Sequence, residues 1–207
     1  MTNKTYEIRV CDSCGLRYPF MEGHPFGTRC PICMGNTRLI LSRELLTDPD
    51  PIHPSGRGRV SVLMDNIRSA WNVGSIFRSA DGFGLAHAYL CGITPTPEND
   101  AVRKTSLAAE DSVPWSYHKD ALKLVKGLKK EGWRILALEE DQRATPLNHF
   151  SASTQRSVLI IGNEVTGVDP ELLDLCDDIL YIPMYGDKKS FNVATAFGIA
   201  AYELNGK

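Results

Sequence analysis

No run of this 207-residue chain stays apolar for anything near the roughly 20 residues that a bilayer-crossing helix needs, so no membrane association is expected. Met1 to Val10 is polar and lacks a signal-peptide core, which makes a cytoplasmic protein the expectation. Excess charge of one sign is missing too. The formal net charge is −2, too little for a protein that coats nucleic acid by bulk charge. Familiar ligand-binding signatures are also absent. There is no GxxxxGK[ST] phosphate loop. Gly82-Phe83-Gly84 opens a GxG, but His87 stands where a Rossmann fingerprint needs its third glycine. No GxSxG nucleophile elbow occurs. No His-x-Glu occurs either, which excludes a zinc-deaminase reading.

Cysteine, by contrast, is patterned. Cys11-Asp12-Ser13-Cys14 and Cys30-Pro31-Ile32-Cys33 are CxxC pairs fifteen residues apart, the spacing of a zinc ribbon. Gly15 and Gly35 follow the two turns. A redox dithiol should open a helix after a strand, which neither pair does. Cys11, Cys14, Cys30 and Cys33 are therefore expected to hold a structural zinc. Four thiolates fill a tetrahedral ion, so no position is left for a catalytic water.

The chain divides into a zinc-ribbon module over 1–46, a linker over 47–58 and a larger domain over 59–207. The linker holds three prolines and two glycines, which cannot build a helix or a central strand. Beyond it, apolar runs and helical patterns alternate. Strands are expected at Val60 to Met64, Ala88 to Ile93, Arg134 to Leu138, Val158 to Ile161 and Ile179 to Ile182. Helices are expected from Ser75 to Phe83, Lys119 to Lys130 and Ser190 to Leu204. In the second, Lys119, Lys123, Lys126 and Lys130 lie opposite the apolar side. Such alternation implies an α/β domain, a mostly parallel sheet with helices on both faces. Basic residues concentrate in 51–78 and 101–135, acidic ones in 136–181; a basic face and ordinary solvated surface are both compatible with this.

Three polar segments follow predicted strands, where open α/β sheets place ligands. They are Asp65 to Arg78, Ile161 to Val168 and Ile182 to Ala194. Each alone has a plain explanation. Asn72 could cap a helix, Arg78 could pair with Asp81, Glu164 could sit on a turn, and Ser190 is a good cap.

Together the segments resemble the three motifs of the SpoU (TrmH-type) branch of the SPOUT superfamily of RNA ribose 2′-O-methyltransferases. The first carries Asn-x-Gly-x-x-x-Arg at Asn72, Gly74 and Arg78. The second carries Gly-Asn-Glu at Gly162, Asn163 and Glu164. The third carries Ile-Pro-Met from Ile182, then Gly186, then Ser-x-Asn-Val-Ala from Ser190. Lys104-Thr105 and Val113-Pro114-Trp115 are similar to the family as well. Phe191 departs from it, since a leucine is usual there, but an apolar wall is kept. The zinc module is a second departure, because many relatives carry another RNA-binding extension or none.

The resemblance implies a C-terminal trefoil knot, S-adenosylmethionine as methyl donor, tRNA or rRNA as substrate and a homodimer. It places Leu138, Gly162, Ile182 and Phe191 against the cofactor. Asn72, Arg78, Glu164, Ser190 and Asn192 become the catalytic set. The alternative function is a zinc-ribbon RNA-binding protein whose larger domain is non-catalytic or methylates bases. For the zinc module, the resemblance leaves two roles open. It could grip RNA through Arg9, Arg17, Arg29 and Arg38, or be purely structural.

Overall fold

The computed structural model of the protein describes residues 5–45, 58–151 and 154–205. The chain forms two compact units, 1–53 and 54–207. Of the linker over 47–58, all but Gly58 lies outside the described residues.

The smaller unit is an antiparallel sheet of β1 (Thr5–Cys11), β2 (Arg17–Met21) and β3 (Thr37–Glu44), in the order β2-β1-β3. Its only buried side chains among the described residues are Cys11 and Cys30. Leu39, Ile40, Leu41, Met21 and Phe26 all stay exposed. So small a sheet has no apolar core of its own, and burial is confined to the sulfur cluster.

The larger unit contains β4 (Val60–Asp65), α1 (Ala70–Gly82), β5 (Ala88–Cys91), α2 (Asp100–Ser106), α3 (Ala109–Ser112) and β6 (Trp115–His118). It continues with α4 (Ala121–Lys130), β7 (Arg134–Leu138), β8 (Thr145–Pro146), β9 (Ser157–Ile161), α5 (Pro170–Leu173), β10 (Asp178–Tyr181) and α6 (Val193–Asn205). Seven strands pair in the order β6-β5-β4-β9-β7-β10-β8, and every pairing in this sheet is parallel. All the C-terminal strand ends therefore meet at one edge. Central strands are mostly apolar because both faces are covered, with Ser61, Asp65 and Ser157 as buried polar exceptions. In β4, Val62 and Met64 point into a core shared with Ile76 and Phe77 of α1 and Phe197 of α6. Leu63, between them, joins Val125 and Leu128 of α4 and Leu172 of α5 on the opposite face. The expected α/β architecture with two helical layers is present.

Several boundaries differ from the sequence reading. Helix α1 begins at Ala70 rather than Ser75, because Ser69 caps it by accepting from the Asn72 N–H. Asn72 is thus not a cap. Helix α6 begins at Val193 rather than Ser190. Asn192 supplies the cap there, its Oδ1 accepting from the Ala194 N–H at 2.9 Å, and Ser190 precedes the helix. Helix α4 begins at Ala121, capped by Asp120, so Lys119 lies outside it. Helix α2 was not anticipated. It packs on α1 where Gly74 leaves room for Thr105 and the Val102 carbonyl.

Gly127 sits inside α4 with open space where a Cβ would point. Nothing in the packing calls for glycine. Gly127→Ala is expected to stabilise the domain by about 0.5–1 kcal/mol, because alanine loses less backbone freedom on entering a helix. A thermal midpoint at or below that of the parent would contradict this.

Candidate functional site

The three motif segments converge at the C-terminal edge of the sheet. The second forms a tight loop after β9. Asn163 and Gly167 exchange both backbone hydrogen bonds, at 3.0 and 2.9 Å. The Asn163 amide holds this loop from inside and outside. Its Oδ1 accepts from the Val165 N–H at 2.9 Å, and its Nδ2 donates to the Asn66 carbonyl at 2.7 Å. Glu164 then points at the start of α1. Its carboxylate accepts from the Arg68 N–H at 2.8 Å, the Ser69 N–H at 3.0 Å and the Asn72 side chain at 2.9 Å. Two backbone donors ahead of the helix thus meet an anion, a favourable end for the helix dipole. The third segment closes the set, with Asn192 Nδ2 donating to Asn72 Oδ1 at 3.0 Å. Asn72, Glu164 and Asn192, up to 120 residues apart in sequence, are one hydrogen-bonded chain.

Burial pushes the Glu164 carboxyl upward. The hydrogen bonds from the Arg68 N–H, the Asn72 amide and the Ser69 N–H outweigh that effect and hold its pKa below the ordinary value. A depressed carboxyl contributes stability above its unfolded pKa of about 4.3, lost as pH falls through the lower folded value. The clamp is therefore fully formed at neutral pH.

Beside this chain lies a cavity of about 520 Å³. Leu138 at the end of β7, Gly162, Ile182 and Phe191 all line it, as do Glu164, Ser190 and Asn192. A larger groove of about 720 Å³ runs between α1 and α6, lined by Ser75, Ser79, Gly198, Ile199 and Tyr202. It is the more voluminous, but the smaller cavity gathers the convergent polar groups and so is the candidate site. Arg78 stands apart. It is exposed, six residues along α1 from Asn72, and lines neither cavity.

Residues 59–202 match the SpoU rRNA Methylase family. The chain belongs to the SpoU rRNA methylase family. One relative is the 23S rRNA (guanosine(2553)-2′-O)-methyltransferase of Bacillus subtilis, 32% identical over 72% of this chain and 58% of that protein. Another is the tRNA (guanosine(18)-2′-O)-methyltransferase of Aquifex aeolicus, 29% identical over 69% of this chain and 66% of the relative. The chain thus spans about three fifths to two thirds of the length of these relatives. Among solved structures, the A. aeolicus TrmH/SpoU tRNA modifying enzyme has a TM-score of 0.66 at 25% identity, covering 72% of this chain and 75% of that one. The AdoMet-bound rRNA methyltransferase of Sinorhizobium meliloti has a TM-score of 0.67 at 25% identity, covering 74% and 57%.

Within this SpoU domain, sequence reasoning left out one residue of consequence. Glu139 follows β7, lines the cavity, and accepts from the Val168 N–H at 2.9 Å. It pins the far side of the Gly162 loop. Its position just after a strand, at the ligand edge of a parallel sheet, was the available signal.

The four cysteines of the smaller unit also come together. Their sulfurs all lie within 4.8 Å of one another, with Cys11 and Cys33 at 3.4 Å and Cys14 and Cys30 at 3.6 Å. Disulfides need about 2.05 Å. A tetrahedron with Zn–S bonds of about 2.3 Å has edges near 3.8 Å, so the cluster is compatible with structural zinc. The Cys14 N–H, directed at Cys11 Sγ, lowers that thiol to about 6, while the neighbouring sulfurs push Cys33 up to about 12, so the four close thiols do not ionise alike. At the second knuckle Met34, not Gly35, takes the left-handed turn, with φ 59°. The nearby arginines are partly committed. Arg9 bonds Glu7 and Thr37, Arg29 bonds Asn36, and Arg38 meets Asp12 at 3.3 Å.

Proposed function

We propose that this chain transfers a methyl group from S-adenosylmethionine to a ribose 2′-hydroxyl of tRNA or rRNA. The hydrogen-bonded junction of Asn72, Glu164 and Asn192 beside the 520 Å³ cavity carries the reading. The cavity has the volume of an ordinary small-ligand site. Its apolar members Leu138, Ile182 and Phe191, with Gly162 admitting close approach, fit the cofactor. Bound there, S-adenosylmethionine supplies a methyl group on a positively charged sulfur.

The chain's part is then orientation. In-line attack requires the ribose oxygen to be held, and such positioning can supply several kcal/mol of the barrier. Glu164 and Asn192 fix the loops on either side of the reacting position. Ser190, exposed at the cavity rim, is placed to meet a hydroxyl or phosphate. A guanidinium keeps its proton and so is a poor base; Arg78 is cast in another role. It acts as a two-pronged clamp on the target's phosphate, and phosphate or water takes the hydroxyl proton. Homodimer formation belongs to the same reading: the resemblance has Arg78 and Asn72 of one subunit complete a site near the other's cofactor, and with Asn72 bonded to Glu164 and Asn192 of its own chain, Arg78 is the residue left for that role. The apolar groove between α1 and α6, where Tyr202 and Ile199 are exposed, supports a partner there. Sedimentation at monomer mass would exclude it. The trefoil knot goes with this reading, and the interleaved order β4-β9-β7-β10 supports it. So does a cytoplasmic setting, where thiols stay reduced for zinc; no helix among the described residues is long and apolar enough to cross a membrane.

Incubation with labelled S-adenosylmethionine and total cellular RNA tests the activity. The label should appear in alkali-resistant dinucleotides, because ribose methylation blocks alkaline cleavage. Label in bases, or none, would overturn the reading. Arg78→Ala should cut turnover by roughly an order of magnitude or more, the worth of a charge-assisted pair, and leave cofactor affinity unchanged. Unchanged turnover would reject the clamp.

A further inference from the structure

Helix α4 lies on the sheet face opposite α1 and α6, and its two sides differ sharply. Val125 and Leu128 are buried in the core of that face. Lys123, Lys126 and Lys130, at spacings of three and four residues, share the outward stripe and are all exposed. Lys129 points elsewhere, donating to the Leu175 carbonyl at 2.6 Å and meeting Asp177 at 3.0 Å. The helix therefore neutralises one lysine against the body of the domain and leaves three in a row with no side-chain hydrogen bond or ion pair among the described residues. Three ammonium groups at this spacing repel one another, and like charges at i,i+4 weaken a helix. Gly127 stands beside the stripe with open space above it, a helix-weakening residue that packing does not require. A bare backbone next to a row of cations allows close approach by a polyanion.

We propose that this stripe is a docking surface for the phosphate backbone of RNA, an inference that rests on the RNA-methylating reading above. Lys123 to Lys130 runs about 10 Å along the helix axis. An RNA strand presents a few phosphates over that length, enough to face the three ammonium groups. Because α4 follows β6, its N-terminal end lies at the sheet edge that carries the site, and the stripe leads away from that edge. The contact reads no sequence; it holds the molecule whose target ribose enters the site. It also gives an acidic chain of net charge −2 a local means of holding a polyanion.

Binding of total tRNA as a generic phosphate polymer tests the surface, measured by filter binding between about 50 and 200 mM salt. The full chain is compared with the triple variant Lys123→Ala, Lys126→Ala, Lys130→Ala. Loss of three phosphate contacts should make the salt slope shallower by about two and weaken binding on the order of a hundredfold at 0.1 M salt. A triple Lys→Arg variant keeps the charges and should bind as the parent does. Parental affinity and slope in the alanine variant would overturn the proposal, as would a parent chain that binds no RNA. If the parent binds tRNA through these lysines but methylates no cellular RNA, the surface stands and the methyltransferase reading falls.

Discussion

Gly162→Ala is expected to lower cofactor affinity on the order of a hundredfold and to cost about 3 kcal/mol of stability, the upper end of ordinary overpacking. The reason is geometric. Gly162 leaves β9 directly into the loop closed by Asn163 and Gly167, and a Cβ there would collide with the backbone of Gly167 and Val168. No rotamer change relieves a clash between two stretches of main chain. The loop cannot swing away freely either, because the Glu139 carboxylate holds the Val168 N–H and the Asn163 amide holds the Asn66 carbonyl. Moving it breaks these bonds and shifts Glu164, which follows immediately. Calorimetric unfolding should show a midpoint lowered by roughly 6 to 12 °C, from about 2–4 °C per kcal/mol for a domain of this size. Titration with S-adenosylmethionine reads the affinity. An alanine variant matching the parent in both would show that the close approach is not real.

Removing metal from the smaller unit is expected to unfold that unit and spare the larger one. Structural zinc contributes about 10–16 kcal/mol of apparent binding energy in small fingers, far more than a three-stranded sheet without an apolar core can replace. Cys11 and Cys30 are its only buried residues among those described, so the ion and its sulfurs would be the core. A chelator, or Cys30→Ser with Cys33→Ser, should expose amides of β1 to β3 to rapid hydrogen exchange. Protection in β4, β7 and β9 and the cofactor affinity should persist. Protected β1 amides after full metal removal would show that zinc is not what holds the sheet. Loss of cofactor binding would place the boundary between the units elsewhere.

Much of this architecture was legible because burial on both faces leaves a plain mark. Val158 to Ile161 is a continuous apolar run and Val60 to Met64 is broken only by Ser61, a pattern that suits strands covered on both faces. Where burial is partial the mark fades. Strand β6, Trp115–His118, is half exposed at the sheet edge, and Thr145–Pro146 is too short for any period to show. The helix starts were misplaced because competing cap residues stand close together. Ser69 and Asn72 both qualify for α1, as do Ser190 and Asn192 for α6, and only the tertiary partners decide. Of the candidate site, the motif residues were visible from their types and their positions after strands. Their mutual bonding was not, since Asn72 and Asn192 are 120 residues apart. Glu139 was passed over because one acid among several in an acidic stretch carries no signal until its partner, the Val168 N–H, is known.

The Asn192–Asn72–Glu164 bridge has a consequence for how a ligand meets the site. Its hydrogen bonds are complete in the free chain, so the start of α1, the Gly162 loop and the approach to α6 are already mutually arranged. Preorganisation of this kind removes the ordering entropy from each encounter and places it once in the folding of the domain. A loose site with the same residues would lose that entropy at every turnover.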